Sequence, residues 1–510
     1  MNQNGRRIVI IGGGIAGLCA AVYAQRSGYQ AEVLEMHTMT GGLAMSWHRH
    51  GFTFETCLHW LVGSKPGSEF NRIWREVCDI DQLQFVDPAE FVRMETEHGE
   101  SLRVFTDVDR LEKELLEHAP QDAAAIHALT RDIRTLSKFR IPEPGKGWST
   151  NWRTYLRDLS CVPTLRRLAN ISGGDYGKRF THPLLSRFFG EGEMGQLSAI
   201  ALVISLAWMN AGDGGYSIGG AQALIHLIER KLTSLGGHVR CGAKVERILV
   251  ENDSAVGVQL ASGETIAADW VISAADGHAT IYELLGGWYK NAAIDRNYGT
   301  MQTFPSYLQV SLGVGMDLSD LPWSVSRILD APIRIDPETE VKQIGFRIFH
   351  FDPTFAPPGK TAITSMLMTR NFRYWTDLYK DDPERYRAEK NRVAEAVVSA
   401  LERKIPGVRR AIETVDVSTP ASVMRYTGNW KGSMEGWFLS PGGSFRPLPN
   451  KLPGLRRFTM VGQWIAPGGG LPSGPMTARP AIRAICKEDR VAFLPVVKAE
   501  KKPHWRLRTP

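Results

Sequence analysis

The chain has 510 residues, 43% of them hydrophobic, and a formal net charge of +7. That length exceeds one ordinary domain of about 150 residues, and the apolar fraction excludes a disordered chain. The positive balance suits anionic partners, yet no nucleic-acid-binding motif accompanies it.

The first element sets the frame. Residues 7–11 (Arg-Ile-Val-Ile-Ile) read as a buried strand running into Gly12-Gly13-Gly14-Ile15-Ala16-Gly17 and then a helix to about Ser27. In Gly-x-Gly-x-x-Gly, Gly12 makes the tight turn, Gly14 brings bare backbone to a pyrophosphate, and Gly17 lets the helix lie close to the strand. The unpaired amides of that helix, at Ile15 and Ala16, face the same anion. A second strand over 31–35 ends in Glu35, 18 residues beyond Gly17, where an acid accepts the hydroxyls of a ribose and repels a 2′-phosphate. The pattern predicts a bound dinucleotide other than NADP.

Gly41-Gly42-Leu43 follows the acid, then Gly51-Phe52-Thr53-Phe54-Glu55-Thr56-Cys57-Leu58-His59-Trp60. The glycine pair gives a second close backbone approach, and the alternation at Phe52 and Phe54 predicts a strand. This segment resembles the FAD-containing amine oxidase and phytoene desaturase superfamily, and within it the carotenoid desaturase, carotenoid isomerase and retinol saturase branch. The resemblance implies an α/β fold: a three-layer, Rossmann-type FAD-binding domain with a discontinuous α+β substrate domain. FAD is the implied cofactor.

Apolar spacing predicts a helix over 112–138, broken afterwards by Pro142, Pro144, Gly145 and Gly147. Residues 151–171 mix aromatics, leucines and arginines. They read as a basic amphipathic segment packed on its own core, or as contact with an anionic membrane surface. Pro163 is expected to interrupt it. The longest apolar run, 197–209, is short of the about 20 residues a spanning helix needs and reads as a buried helix.

Gly219-Gly220 opens a helix to about Leu235; strands follow at 239–241, 245–250 and 255–260, and another runs from Ala268 to Asp276. By resemblance these rebuild the nucleotide domain, with Val245 beside the adenine and Ala274 at the cofactor. Strands over 306–313, 343–350 and 361–367 and a charged helix over 383–404 suit a substrate domain. The segment 419–437 places Gly428, Gly432 and Gly436 among Tyr426 and Trp437, so that a loop can pass a flat ligand. A final strand ends at Gly462-Gln463, and Gly470-Leu471-Pro472 leads into a helix over 473–487, the amides near Gly470 and Leu471 being expected to face the flavin ring's electron-rich edge.

The expected cofactor lobe is therefore residues 1–84, 212–281 and 410–490, with substrate segments 85–211 and 282–409 and a basic tail over 491–510. Three departures from relatives stand out: Leu43 where many have arginine, Gln463 where an aspartate is frequent, and Pro480 inside the last helix. His59, Tyr426 and Glu55 are the candidate catalytic groups. Trp60, Trp208, Phe346 and Trp437 are expected to face a lipophilic polyene or isoprenoid. Two other functions remain open, a flavin amine oxidase and a non-catalytic prenyl-binding escort; so do the direction of reaction and the electron partner. The six scattered cysteines show neither Cys-x-x-Cys nor a metal-ligand spacing. They suit reduced thiols in a cytoplasmic protein, and the opening residues lead directly into the first strand with no signal peptide.

Overall fold

Five short strands form a parallel sheet at the centre of the cofactor-side lobe. In the computed structural model, which describes residues 5–139, 152–190, 192–443 and 448–496, their order is His238–Arg240, Gln30–Leu34, Arg7–Ile11, Trp270–Ser273, Phe458–Met460. The three strands Arg7–Ile11, Trp270–Ser273 and Phe458–Met460 are buried almost throughout, which is why Arg7–Ile11 and Trp270–Ser273 read as continuous apolar runs, whereas the edge strand His238–Arg240 stays largely exposed. The helix Ile15–Arg26 packs on one face beside the closing helix Ser473–Asp489 and Gly220–Ser234. Its first turn is tight. A Cβ built on Gly17 overlaps the carbonyl oxygen of Gly12, so only glycine lets helix and strand meet at this separation.

A second sheet of seven strands runs in the order Ile412–Ser418, Ser306–Val314, Thr361–Thr369, Glu340–Ile348, Ser324–Arg334, Glu90–Thr96, Ser101–Phe105. One face is covered by the long helix Pro383–Lys404, whose Val393, Val397 and Leu401 join a core with Leu308, Ile344 and Phe346. The expected strands at 306, 343 and 361 are its centre. The Ile412–Ser418 strand pairs with Ser306–Val314, which places residues 412–418 of the expected cofactor segment in this sheet.

Helices fill the third region. The single helix expected over 112–138 is two, Val108–His118 and Ala123–Leu136, because Pro120 opens a short 3₁₀ turn between them. In that turn the Asp122 carboxylate accepts the backbone amides of Thr181 and His182, each at 2.9 Å. Helix Trp152–Ala169 runs through Pro163 instead of stopping there. The apolar run forms the buried helix Ile200–Asn210. The breaks from Pro142 to Gly147 and the tail beyond residue 496 lie outside the described residues. Among those described, no helix is long and apolar enough to cross a membrane.

Candidate active site

Where the parallel sheet meets the second sheet and the helices, a cavity of about 1470 Å³ opens. That is larger than the roughly 300–1,000 Å³ of an ordinary small-molecule site, so it has room for a dinucleotide and a second ligand together. Its two ends are chemically different.

One end is a groove of bare backbone. Gly12, Gly14, Ile15 and Ala16 line it from the first turn, with Gly41, Gly42 and Leu43 opposite, Val245 and Ala274 along one side, and Glu35 at the edge. Glu35 is fixed from behind: Oε2 accepts the Gly13 amide at 2.6 Å and Oε1 the His37 amide at 2.8 Å. A carboxylate held by two amides keeps further lone pairs for a ligand's hydroxyls. Gly17 does not line the groove; its part is the close helix packing described above. Gly462, Gln463, Gly470, Leu471 and Pro472 complete the far wall beneath the start of helix Ser473–Asp489.

The other end is an apolar arm. Trp60 and Trp208 meet in it with ring centroids 5.5 Å apart, and Phe188, Phe189, Phe304, Met366, Met368 and Leu202 add to its walls. Helix Trp152–Ala169 contributes Val162, Leu165, Arg166 and Ala169. Between groove and arm lies the loop Thr56–Trp60, which carries His59.

His59 lines the cavity and is exposed to its open space, and its carbonyl accepts Arg347 Nη2 at 2.6 Å. Desolvation by the protein around the cavity, helped by the nearby Arg347 guanidinium, lowers its pKa. At neutral pH the imidazole is uncharged, which makes this candidate catalytic group a neutral polar contact. Arg347 itself stacks over the Trp323 ring at 4.3 Å and is lowered to about 10 by burial. It holds the His59 loop from outside the cavity.

Four expected site residues lie elsewhere. Glu55 stands behind the wall, where its carboxylate accepts the Ala221 amide at 2.8 Å and the Tyr216 hydroxyl at 3.2 Å, capping helix Gly220–Ser234. Tyr426 turns outward, 39% exposed, its hydroxyl accepting Arg425 Nη2 and its ring edge-on to His37 at 5.4 Å. Its helix neighbours Met424, Arg425 and Thr427 line the cavity, while its own position on the turn points away. Phe346 is 2% exposed in the core beneath the second sheet. Trp437 is fully buried behind Trp464, to whose carbonyl its Nε1 donates at 2.8 Å.

Three carboxyl groups are pushed up to about 7 by burial: Glu55, Asp276 and Glu435. Asp276 accepts the amides of Ala279 and Trp430, each at 2.8 Å, and ties those two loops together. Glu435 differs. It lines the cavity, and its carboxylate has no hydrogen-bond or ion-pair partner among the described residues. Sequence reasoning passed over it, although it is the one charged residue between Gly432 and Phe445.

A glycine turn and a helix N-terminus flanking one groove, with an apolar chamber beyond, define a dinucleotide-dependent oxidoreductase. The sequence model described as "Flavin containing amine oxidoreductase" matches residues 15–481. The chain is 23% identical over 476 residues to a chloroplastic prolycopene isomerase of Daucus carota, covering 87% of this chain and 72% of the relative. It is 25% identical over 498 residues to a neurosporene-forming phytoene desaturase of Rhodobacter capsulatus, covering 92% and 91%. Among solved structures, cyclohexylamine oxidase of Brevibacterium oxydans superposes with a TM-score of 0.58 at 13% identity, covering 95% of this chain and 100% of that one. The chain belongs to the flavin-containing amine oxidoreductase family, and its cofactor is FAD.

The groove fits that cofactor on its own terms. A Cβ built on Gly14 meets only the Gly41 carbonyl oxygen, at 3.8 Å, so the backbone there faces open space wide enough for a phosphate to approach. Glu35 stands ready for ribose hydroxyls, and among the described residues no basic side chain is bonded to its carboxylate, whose bonds are to the Gly13 and His37 amides.

Proposed function

We propose that this flavoprotein acts on carbon–carbon double bonds of a long, apolar polyene or isoprenoid, as a desaturase, saturase or isomerase. The observation that carries the reading is the continuous passage from the glycine groove into an arm walled by Trp60, Trp208, phenylalanines and methionines. A long hydrocarbon is bound there by dispersion and exclusion of water, and methionine side chains adapt to its shape. The names of the relatives, prolycopene isomerase and phytoene desaturase, support the same substrate class.

In this reading the dinucleotide lies along Gly12, Gly14, Ile15 and Ala16, with Glu35 on the ribose and Val245 and Ala274 beside the adenosine half. Gly41, Gly42 and Leu43 cover its middle, and Gly462, Gln463 and Gly470 to Pro472 hold the ring end. FAD when bound supplies hydride-level, two-electron chemistry. The chain's own residues orient the substrate and keep water out: neutral His59 offers a polar contact at the junction of groove and arm, and Arg347 fixes its loop. Residues 1–84 and 212–281 serve the cofactor, and the segments around 85–211 and 282–409 serve the substrate.

The test is a panel of polyenes of graded length beside a panel of primary amines, with product mass and hydrogen peroxide as readouts. Conversion of a polyene, by a change of two hydrogens or by altered geometry at constant mass, is expected. Peroxide released with amines alone overturns the reading. Because helix Trp152–Ala169 stands between the apolar arm and the exterior, we further propose that this basic helix meets an anionic lipid surface. Co-sedimentation with anionic phospholipid vesicles at low salt, lost at high salt, is the expected result. A protein that stays in the supernatant at low salt contradicts it.

A further inference from the structure

Of the three carboxyl groups raised to about 7, Glu435 is the one without a hydrogen-bond or ion-pair partner among the described residues. Glu55 caps a helix and Asp276 ties two loops, yet Glu435 lines the cavity and binds nothing. Its placement is specific. A Cβ added to Gly469 overlaps the backbone oxygen of Glu435, so the residue is pressed against the glycine turn that opens helix Ser473–Asp489. On the other side, a Cβ on Gly436 meets the backbone of Gln463 at 3.1 Å. Glu435 thus sits at the ring end of the groove, where Gly470, Leu471 and Gln463 form the wall and Met434 and Cys57 share the lining.

A bare carboxylate in that position is costly, and charged neighbours do not offset the cost. Arg370 is bonded to Glu193, and the Lys431 ammonium lies 4.0 Å above the Trp430 ring. The Cys57 thiol is the titratable group that senses Glu435, and burial already holds that thiol protonated. Burial alone raises Glu435 from 4.5 to about 7. Such a group gains and loses a proton readily at neutral pH, as a general acid–base requires.

We infer that Glu435 exchanges a proton with the substrate carbon adjacent to the one that exchanges a hydride, an inference that rests on the polyene reading above. In the oxidative sense the carboxylate takes the proton from one carbon, and that C–H electron pair becomes the new π bond. The hydride of the neighbouring carbon would go to oxidised FAD when it is bound, so the substrate would lose two electrons and two hydrogens. The reverse sense delivers the proton from the carboxylic acid.

The experiment compares FAD-loaded wild type with Glu435→Gln and Glu435→Asp. All three are expected to retain flavin. Turnover of a polyene falls about 100-fold or more in Glu435→Gln and partly recovers in Glu435→Asp. The wild-type pH–rate profile inflects near neutrality, and the Gln profile loses that inflection. A second readout needs no turnover. Because the folded carboxyl titrates higher than the unfolded one, its contribution to stability is present at low pH and lost as pH rises through about 7. The melting midpoint of Glu435→Gln therefore rises relative to wild type between about pH 5 and about pH 8. A Gln variant as active as wild type, or a midpoint difference constant across pH, overturns the role of Glu435. A wild type inert toward every polyene, with the pH-dependent midpoint difference intact, overturns the substrate reading instead.

Discussion

Gly17→Val yields a protein without bound flavin and with little stable fold. The Cβ of any residue at position 17 overlaps the carbonyl oxygen of Gly12 and comes to 3.2 Å from the Cβ of Ala274. Neither neighbour can retreat. The Gly12 amide is bonded to the Leu34 carbonyl at 2.8 Å, and the Ala274 amide to the Ile11 carbonyl at 2.8 Å, so both belong to the ladder of the central sheet. The helix must move outward instead, and its Leu18, Val22 and Tyr23 leave a core in which they are fully buried. Overpacking costs of about 3 kcal/mol or more, set against a total stability of about 5–15 kcal/mol, remove much of the margin. The displaced helix start also carries the amides at Ile15 and Ala16 away from the groove. Flavin-to-protein absorbance of the purified variant and its urea midpoint measure both effects. Gly299→Ala is the control: it sits in helix Ala292–Thr300 with nothing within 4 Å of the added methyl, and it gains about 0.5–1 kcal/mol. Flavin retention and a wild-type midpoint in Gly17→Val contradict the packing argument.

Arg479→Ala is the second large effect, at about 3–5 kcal/mol of lost stability. Arg479 on the closing helix reaches Glu76 on helix Glu69–Val77 with two bonds, Nε to Oε2 at 2.7 Å and Nη2 to Oε1 at 3.1 Å. The Tyr23 hydroxyl, on the first helix, donates to the same Oε2 at 2.8 Å. Three helices of the cofactor lobe thus converge on one buried carboxylate, and the pair is 5% and 10% exposed. Removing the guanidinium leaves Glu76 charged and buried with the Tyr23 hydroxyl as its remaining bond among those described here. The closing helix is loosened at the same time, and its first turn walls the ring end of the cavity. Urea denaturation of Arg479→Ala is expected to show the full loss, whereas the double variant Glu76→Gln with Arg479→Met recovers most of it, because no lone charge remains. Equal destabilisation in single and double variants contradicts a charge-based account.

The parts of the fold that were legible in the sequence are those where chain chemistry is local. A strand, three glycines, a helix and an acid at fixed spacing can be read without knowing what they pack against, and the groove they form is where the spacing placed it. The missed strand Ser324–Arg334 shows the opposite case. Its core-facing set, Val325, Arg327 and Leu329, includes a buried arginine, and Pro332 falls within the register shift between Ile328 and Ile333. Both features break the alternation that marks a strand. Proline also misled in the other direction, since Pro163 sits inside a continuous helix and Pro120 splits one that periodicity joined.

Site residues divide the same way. Trp60 and Trp208 line the cavity while Phe346 and Trp437 are core, and nothing in an aromatic side chain distinguishes those fates before tertiary packing is known. Tyr426 and Glu55 are polar groups inside cofactor-like segments. One faces solvent and the other caps a helix, because a shift of a single position along a helix or strand turns a side chain away from the cavity. Glu435 was visible as a lone acid among glycines and bulky apolar residues. Its significance rests on its place on the cavity wall without a partner among the described residues, which only the fold reveals.

The central claim is that this cavity brings a polyene to FAD. Anaerobic addition of a long polyene to the oxidised and to the photoreduced holoenzyme, followed by flavin absorbance and product mass, tests it most directly. Bleaching of the oxidised form, reoxidation of the reduced form with a gain of two hydrogens in the product, or geometric change at constant mass is the predicted result. A flavin spectrum and a polyene that both stay unchanged in either redox state, while a primary amine bleaches the oxidised form, contradicts it.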